Sequence, residues 1–194
     1  MDSLVFDLWS RVYDVRAVQR VAYRPVHDAV VEALLAEPPQ RIVDVGCGTG
    51  LLTRRLHDTL RATIVGLDYS PGMLARAAAR APALRWVRGD AMRLPLASGS
   101  ADALCCTESF HWYPDQAAAA AEFHRVLAPG GRAFVAHVSP PMAARLGTQV
   151  RWPSPQVVER LLSGAGLEVV EQRRVWRPPG GPLLSALLTV GRKP

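Results

Sequence analysis

Lysine is almost absent from this chain. Of its 23 basic residues only Lys193 is a lysine, so the formal net charge of +6 is carried by arginine. The arginines are spread over helices and turns rather than gathered in one run, which fits a solvated surface better than a nucleic-acid face. Cysteine is scarce as well. Cys47, Cys105 and Cys106 lie in apolar strand or turn contexts, and the adjacent pair would point to opposite faces of a strand. Neither a disulfide framework nor a metal centre fits this usage, so a reducing cytoplasm is the expected location. Long hydrophobic runs are missing: none approaches the ~20 residues that cross a bilayer. The opening MDSLVFDLWS carries acids where a secretory signal would carry bases, so no leader is read there. What is present describes a globule of one domain: 194 residues, 49% apolar and 21% charged.

The chain is organised around Arg41–Gly50, RIVDVGCGTG. Ile42, Val43 and Val45 form a short buried strand, Gly46, Gly48 and Gly50 follow at alternate positions, and Leu51–Leu60 has helical character. A strand that runs through a glycine-rich turn into a helix is a nucleotide-binding turn. A Cβ there would block the approach of a ligand, and the turn needs backbone angles that other residues resist. Two features are missing from it. Leu51 stands where G-x-G-x-x-G would place a third glycine, and no G-K-[ST] follows, so a phosphate-cradling loop is excluded. Asp44, two positions before the first glycine, would gain nothing from a pyrophosphate. A ligand that carries an amino-acid ammonium and a sulfonium would gain from it.

Four segments together carry a family resemblance. Asp44-Val45-Gly46-Cys47-Gly48-Thr49-Gly50 resembles motif I of the class I S-adenosylmethionine-dependent methyltransferases, of the ubiquinone/menaquinone-biosynthesis and trans-aconitate methyltransferase kind. Gly66–Leu74 resembles their second-strand motif, Gly89–Leu96 the third-strand motif, and Phe123–Gly131 the helix and turn before the fifth strand. The likeness is close from Arg41 to Val138 and loose elsewhere. It implies a Rossmann-like α/β fold: a seven-stranded, mostly parallel sheet with an antiparallel last strand in a three-layer α/β/α sandwich. It also implies S-adenosyl-L-methionine as cofactor. Motif by motif, it assigns to the cofactor Asp44, Gly46, Cys47, Gly48 and Gly50, then Asp68 on the ribose with Tyr69 beside it. Met73 falls on the adenine face, with core packing as the competing reading. Asp90 reaches the adenine amine, with the neighbouring Ala91 and Met92, and Thr107 completes the set.

The coarse element reading agrees with this order. Strands are expected at Ala62–Leu67, Leu84–Val87, Ala101–Cys106 and Arg132–Val138, with Leu167–Trp176 and Leu183–Gly191 as a final hairpin. Asp68 ends the second strand, 18 residues beyond Gly50, where a ribose-binding carboxylate belongs. Helices begin at Ser70-Pro71 and Ser154-Pro155, each a serine cap followed by proline, the latter ending at Gly164 or Gly166. Gln116–Leu127 is a further helix, with His124 and Arg125 read as surface residues and Pro129-Gly130-Gly131 as a turn.

The chemistry is expected after strand four, at Thr107–Pro114, because open parallel sheets hold ligands outside the carboxyl ends of their strands. This segment is not the Asn/Asp-Pro-Pro-Tyr motif of enzymes that methylate adenine, cytosine or glutamine amides. His111 is the candidate general base, since imidazole titrates near neutral pH, and Glu108 is the second candidate. The competing reading makes His111 and Trp112 packing residues of a turn. Methyl transfer from a sulfonium needs positioning more than a strong base, so neither reading disturbs the assignment.

Residues 1–39 are expected to form a helical lid on a core of residues 40–194, with two helices across Leu4–Ala36 broken near Arg24-Pro25. Tyr13, Tyr23, His111 and Trp112 are the candidate acceptor contacts, with plain packing as the alternative for both tyrosines. Only 15 residues, Ser139–Pro153, separate strand five from the last helix, so Met142, Trp152 and the N-terminal aromatics would line a shallow site, or a second copy of the chain would complete it. Methylation of a small molecule at O, C or N is the favoured function. An RNA-modifying enzyme would need Arg55, Arg61, Arg76, Arg80, Arg85, Arg88 and Arg93 on one face. A non-catalytic S-adenosylmethionine-binding protein is the third reading.

Overall fold

The computed structural model describes residues 23–138, 151–175 and 185–194. The described helices are α1 (Arg24–Ala36), α2 (Leu51–Thr59), α3 (Pro71–Arg80), α4 (Gln116–Val126) and α5 (Pro155–Gly164). The strands are β1 (Arg41–Val45), β2 (Thr63–Asp68), β3 (Arg85–Arg88), β4 (Ala101–Thr107), β5 (Leu127–Val138), β6 (Glu168–Val175) and β7 (Ala186–Arg192). They form one sheet in the order β3-β2-β1-β4-β5-β7-β6. β1 to β5 pair in parallel, and β7 enters antiparallel between β5 and β6. The order reverses beside β1, so the tips of β1 and β4 flank the crevice in which such sheets place ligands.

Burial on both faces explains the composition of the central strands. One face packs Val45, Leu104, Cys106 and Phe110 with Phe123 of α4 and Leu162 of α5. The other packs Ile42, Ala103, Cys105 and Phe134 under Val30 and Leu34 of α1 and Leu56 of α2. Cys105 and Cys106 thus fall on opposite faces, as the alternation along β4 requires. α1 begins at Arg24 with Pro25 in its first turn, and it is a layer of this core. The described part of the expected 1–39 lid is therefore a core layer, and residues 1–22, Tyr13 among them, lie outside the described residues. No helix among the described residues is long and apolar enough to cross a membrane.

Local signals set the helix starts. Ser70 Oγ accepts from the Met73 amide (3.1 Å) and Ser154 Oγ from the Val157 amide (3.4 Å), each with a proline in the first turn. Asp115 caps α4 in the same way, accepting from the Ala118 amide at 2.9 Å.

Two sequence expectations change. Pro129-Gly130-Gly131 is not a separate turn but lies inside β5, where the register with β4 slips between Ala101 and Ala103. The Gly130 amide donates to the Lys193 carbonyl and the Lys193 amide to the Gly131 carbonyl, both at 2.8 Å, so these residues pair with the end of the chain. The single lysine closes the same corner: its Nζ donates to the carbonyls of His124 (2.9 Å) and Leu127 (2.8 Å) at the end of α4. Arg125, read as a surface residue, is instead half-buried. Its guanidinium bonds both Glu122 oxygens (2.7 Å each) and the carbonyls of Leu94 (3.0 Å) and Leu96 (2.8 Å), while Glu122 Oε2 accepts from the Leu94 amide (2.7 Å). This clamp fixes the loop that leads from β3 to β4.

Candidate active site

At the tip of β1 the chain turns because Gly46 and Cys47 both donate their amides to the Leu67 carbonyl of β2 (2.7 and 3.0 Å). Gly46, Gly48 and Gly50 have φ of +71°, +55° and +77°, a region that side chains resist. Their surroundings differ. A Cβ on Gly46 would lie 2.4 Å from Ser109 Oγ, and one on Gly50 would lie 2.3 Å from the Trp86 ring, whereas one on Gly48 would meet only Met73 Sδ at 4.0 Å. The expectation that all three make room for a ligand is therefore corrected. The chain itself uses the space at Gly46 and Gly50, and only Gly48 turns an open face outward.

Asp68, at the tip of β2, stands against that open glycine. Its Oδ2 accepts from the Gly48 amide (2.8 Å) and its Oδ1 from the Ser70 amide (2.9 Å). Burial raises its pKa, and the same two amides oppose the rise. Asp44 is buried within β1. Its Oδ2 accepts from Thr53 Oγ1 at 2.6 Å, while Oδ1 has no hydrogen-bond partner among the described residues. Burial lifts this carboxyl to about 7, with the nearby Asp68 charge adding to the rise and the Thr53 bond opposing it. Cys47 turns its buried thiol towards Gly66, whose Cβ would lie 3.2 Å from the sulfur, and burial pushes that thiol well up.

Further along the strand tips, Asp90 follows β3 and accepts the Met92 amide on Oδ1 (2.9 Å), a tight Asx turn that buries Ala91 and half-buries Met92. Tyr69 is exposed, with the Arg88 guanidinium 6.0 Å from its ring centroid, and Met73 is buried in the first turn of α3. Thr107 ends β4, buried beside β5. Among the described residues Glu108 alone combines a side chain with positive φ (58°); its amide donates to the Ala136 carbonyl at 2.7 Å. Such a conformation persists only where the surroundings impose it.

His111 lies in a single 3-10 turn, Phe110–Trp112. Its ring is 3% exposed and stacked on Trp152, with centroids 4.2 Å apart and planes 17° from parallel; Trp112 lies 5.3 Å away. Arg151–Pro153 crosses here as a strap. The Arg151 amide donates to the His111 carbonyl (3.0 Å), Gln116 Nε2 donates to the Arg151 carbonyl (2.9 Å), and the His137 ring bonds the Pro153 carbonyl (3.1 Å). His111 therefore enters the site as a clamped ring, not as an open imidazole. Tyr23 precedes α1 beside His27, with ring centroids 6.5 Å apart.

Sequence reading missed Thr53, Trp86, Ser109 and Tyr113. Thr53 had a signal, since the first turn of a helix after a strand returns over that strand. Trp86 and Ser109 had none, because they act on glycines far away in the chain.

Known proteins share this fold. Residues 43–135 match the model described as a methyltransferase domain. That stretch, just under half of the chain, is a methyltransferase domain. It is 35% identical over 151 residues to the demethylmenaquinone methyltransferase of Thermus thermophilus, covering 75% of this chain and 66% of that protein. It is 41% identical over 104 residues to the trans-aconitate 2-methyltransferase of Deinococcus radiodurans, covering 52% and 39% respectively. The chain thus spans less than two thirds of the length of these relatives. The methyltransferase bound to the Trm112 activator of Haloferax volcanii superposes with a TM-score of 0.81 at 25% identity over 97% of both chains.

S-adenosylmethionine is the cofactor that such a domain implies, and the residues present fit it. Asp44 keeps a buried carboxylate oxygen without a partner, Gly48 leaves an open face, and two further carboxylates, Asp68 and Asp90, stand at adjacent strand tips.

Proposed function

We propose that this chain transfers a methyl group to a small, planar or conjugated acceptor. The observation that carries the reading is the juxtaposition at the carboxyl ends of β1, β2 and β4. A glycine turn and an acid are joined through the Gly48 amide, and a clamped aromatic group, His111 with Trp112 and Trp152, follows β4. Bound at the glycine turn, the cofactor supplies an electrophilic methyl on a sulfonium. The chain's own part is to bind and orient. Asp68 and Asp90 offer acceptor oxygens to the nucleoside, with Tyr69, Met73, Ala91, Met92 and Thr107 around it. Gly46, Cys47, Gly48 and Gly50 supply backbone, and Asp44 supplies negative charge for the amino-acid end. Trp112, backed by the buried His111, presents a flat apolar surface to the acceptor, and Tyr23 is the further candidate contact among the described residues. Glu108 is the group able to take a proton where the acceptor atom carries one, since His111 is buried in its clamp; alignment supplies much of the rate.

A reducing compartment suits the three free, buried thiols. With only 15 residues in Ser139–Pro153, the acceptor site would be shallow, roofed by the N-terminal segment or completed by a second copy of the chain.

A labelled-methyl assay over a panel of quinols, unsaturated carboxylates, amines and RNA tests the function. Transfer to a small conjugated acceptor is expected, with a Trp112→Ala loss of about tenfold or more in kcat/KM. Labelling of RNA alone would contradict the reading.

A further inference from the structure

The side chains that crowd Gly46 form one part-buried run of hydrogen bonds. Ser109 Oγ donates to the carbonyl of Val45, the last residue of β1, at 3.2 Å. Tyr113 OH donates to Ser109 Oγ at 2.9 Å. Cys106 Sγ lies 3.2 Å from the serine oxygen and 3.6 Å from the phenol oxygen. A Cβ on Gly46 would come within 2.4 Å of Ser109 Oγ and 3.0 Å of Tyr113 OH. The same hydroxyl thus holds the carbonyl before the turn and fills the volume that any larger residue at position 46 would need. Burial raises the Cys106 thiol to about 12 and lifts the Tyr113 phenol too, so both keep their protons at neutral pH. The Val45 carbonyl can only accept, so the serine hydroxyl donates to it and the phenol donates to the serine.

The geometry assigns Ser109, backed by Tyr113, as a positioning residue for the cofactor turn. Both belong to the segment after β4 that also carries Glu108, His111 and Trp112, while the group they hold belongs to β1. The segment on the acceptor side thereby sets the backbone of Gly46. Through Gly46 it sets the Gly48 amide that meets Asp68. A packing role alone would explain the burial, but not why the hydroxyl is spent on the one carbonyl that leads into the turn.

This inference rests on the reading that the cofactor lies against Gly48 and Asp68, and the test separates the two. S-adenosylhomocysteine affinity is measured by calorimetry, well below each melting temperature, for the parent, Ser109→Ala, Tyr113→Phe, the double variant and Asp68→Ala. Ser109→Ala should bind roughly tenfold more weakly, because the Val45 carbonyl and the phenol lose their shared partner. Tyr113→Phe should lose less, and the double variant should be no weaker than Ser109→Ala, because the phenol acts through the serine. A folded Ser109→Ala within twofold of the parent would overturn the assignment, since melting temperature alone is what a packing residue moves. Should Ser109→Ala fail to fold, an unchanged affinity in Tyr113→Phe, which keeps the ring, overturns it equally. Asp68→Ala at parental affinity would remove the underlying cofactor placement instead.

Discussion

Asp44 shows how much one side chain can decide in this protein. Its folded pKa of about 7 lies above the ordinary carboxyl value, so the folded chain holds this proton more tightly than the unfolded chain. The stabilisation it gives is complete below about pH 4 and is lost as pH rises through about 7. A cationic ligand has the opposite preference, since it favours the carboxylate. The affinity for S-adenosylhomocysteine, whose amino-acid ammonium is cationic, should therefore rise from pH 6 to pH 8 with release of a proton. Calorimetry in buffers of different ionisation enthalpy measures that release, and Asp44→Asn should abolish it. A proton count of zero in the parent would contradict the assigned contact. At this scale the acids were legible because strand ends mark them. Ser109 and Trp86 were not, because the clearance around a glycine is set by side chains that only folding brings near.

Among the elements, caps and strand positions were readable and long-range clamps were not. Ser70-Pro71 and Ser154-Pro155 announce helices with chemistry confined to a few residues. The bulge at Pro129–Gly131 depends on Lys193, the penultimate residue, so local composition could only suggest a turn. Arg125 belongs to the same class: a helix residue whose partners, Leu94 and Leu96, lie about thirty residues earlier. Arg125→Ala should leave the Leu94 and Leu96 carbonyls and Glu122 without their shared donor, and cost about 1–3 kcal/mol in denaturant unfolding. A midpoint unchanged from the parent would show that the loop holds without the clamp. The edge strands are guarded by charge: β3 is four residues long and flanked by Arg85 and Arg88, and β6 carries Glu168, Glu171, Arg173 and Arg174.

For the molecule as a whole, several arginines tie the architecture together. Arg41 bonds Asp102, Arg55 bonds Asp28, Arg125 bonds Glu122, and Arg132 and Arg192 share Glu37. Fold class and cofactor motif were legible in the sequence, because four motifs in chain order point to a doubly wound sheet. The role of α1 as a core layer was not, since an amphipathic helix reads the same whether it covers a sheet or a ligand. The central claim is that adjacent strand tips grip a nucleoside through carboxylates while a glycine turn receives its amino-acid end. Calorimetric titration of S-adenosylhomocysteine into the parent and Asp68→Ala tests it most directly. The account predicts one site in the parent and a loss of about 1–3 kcal/mol in the variant; equal affinity in the two proteins would contradict it.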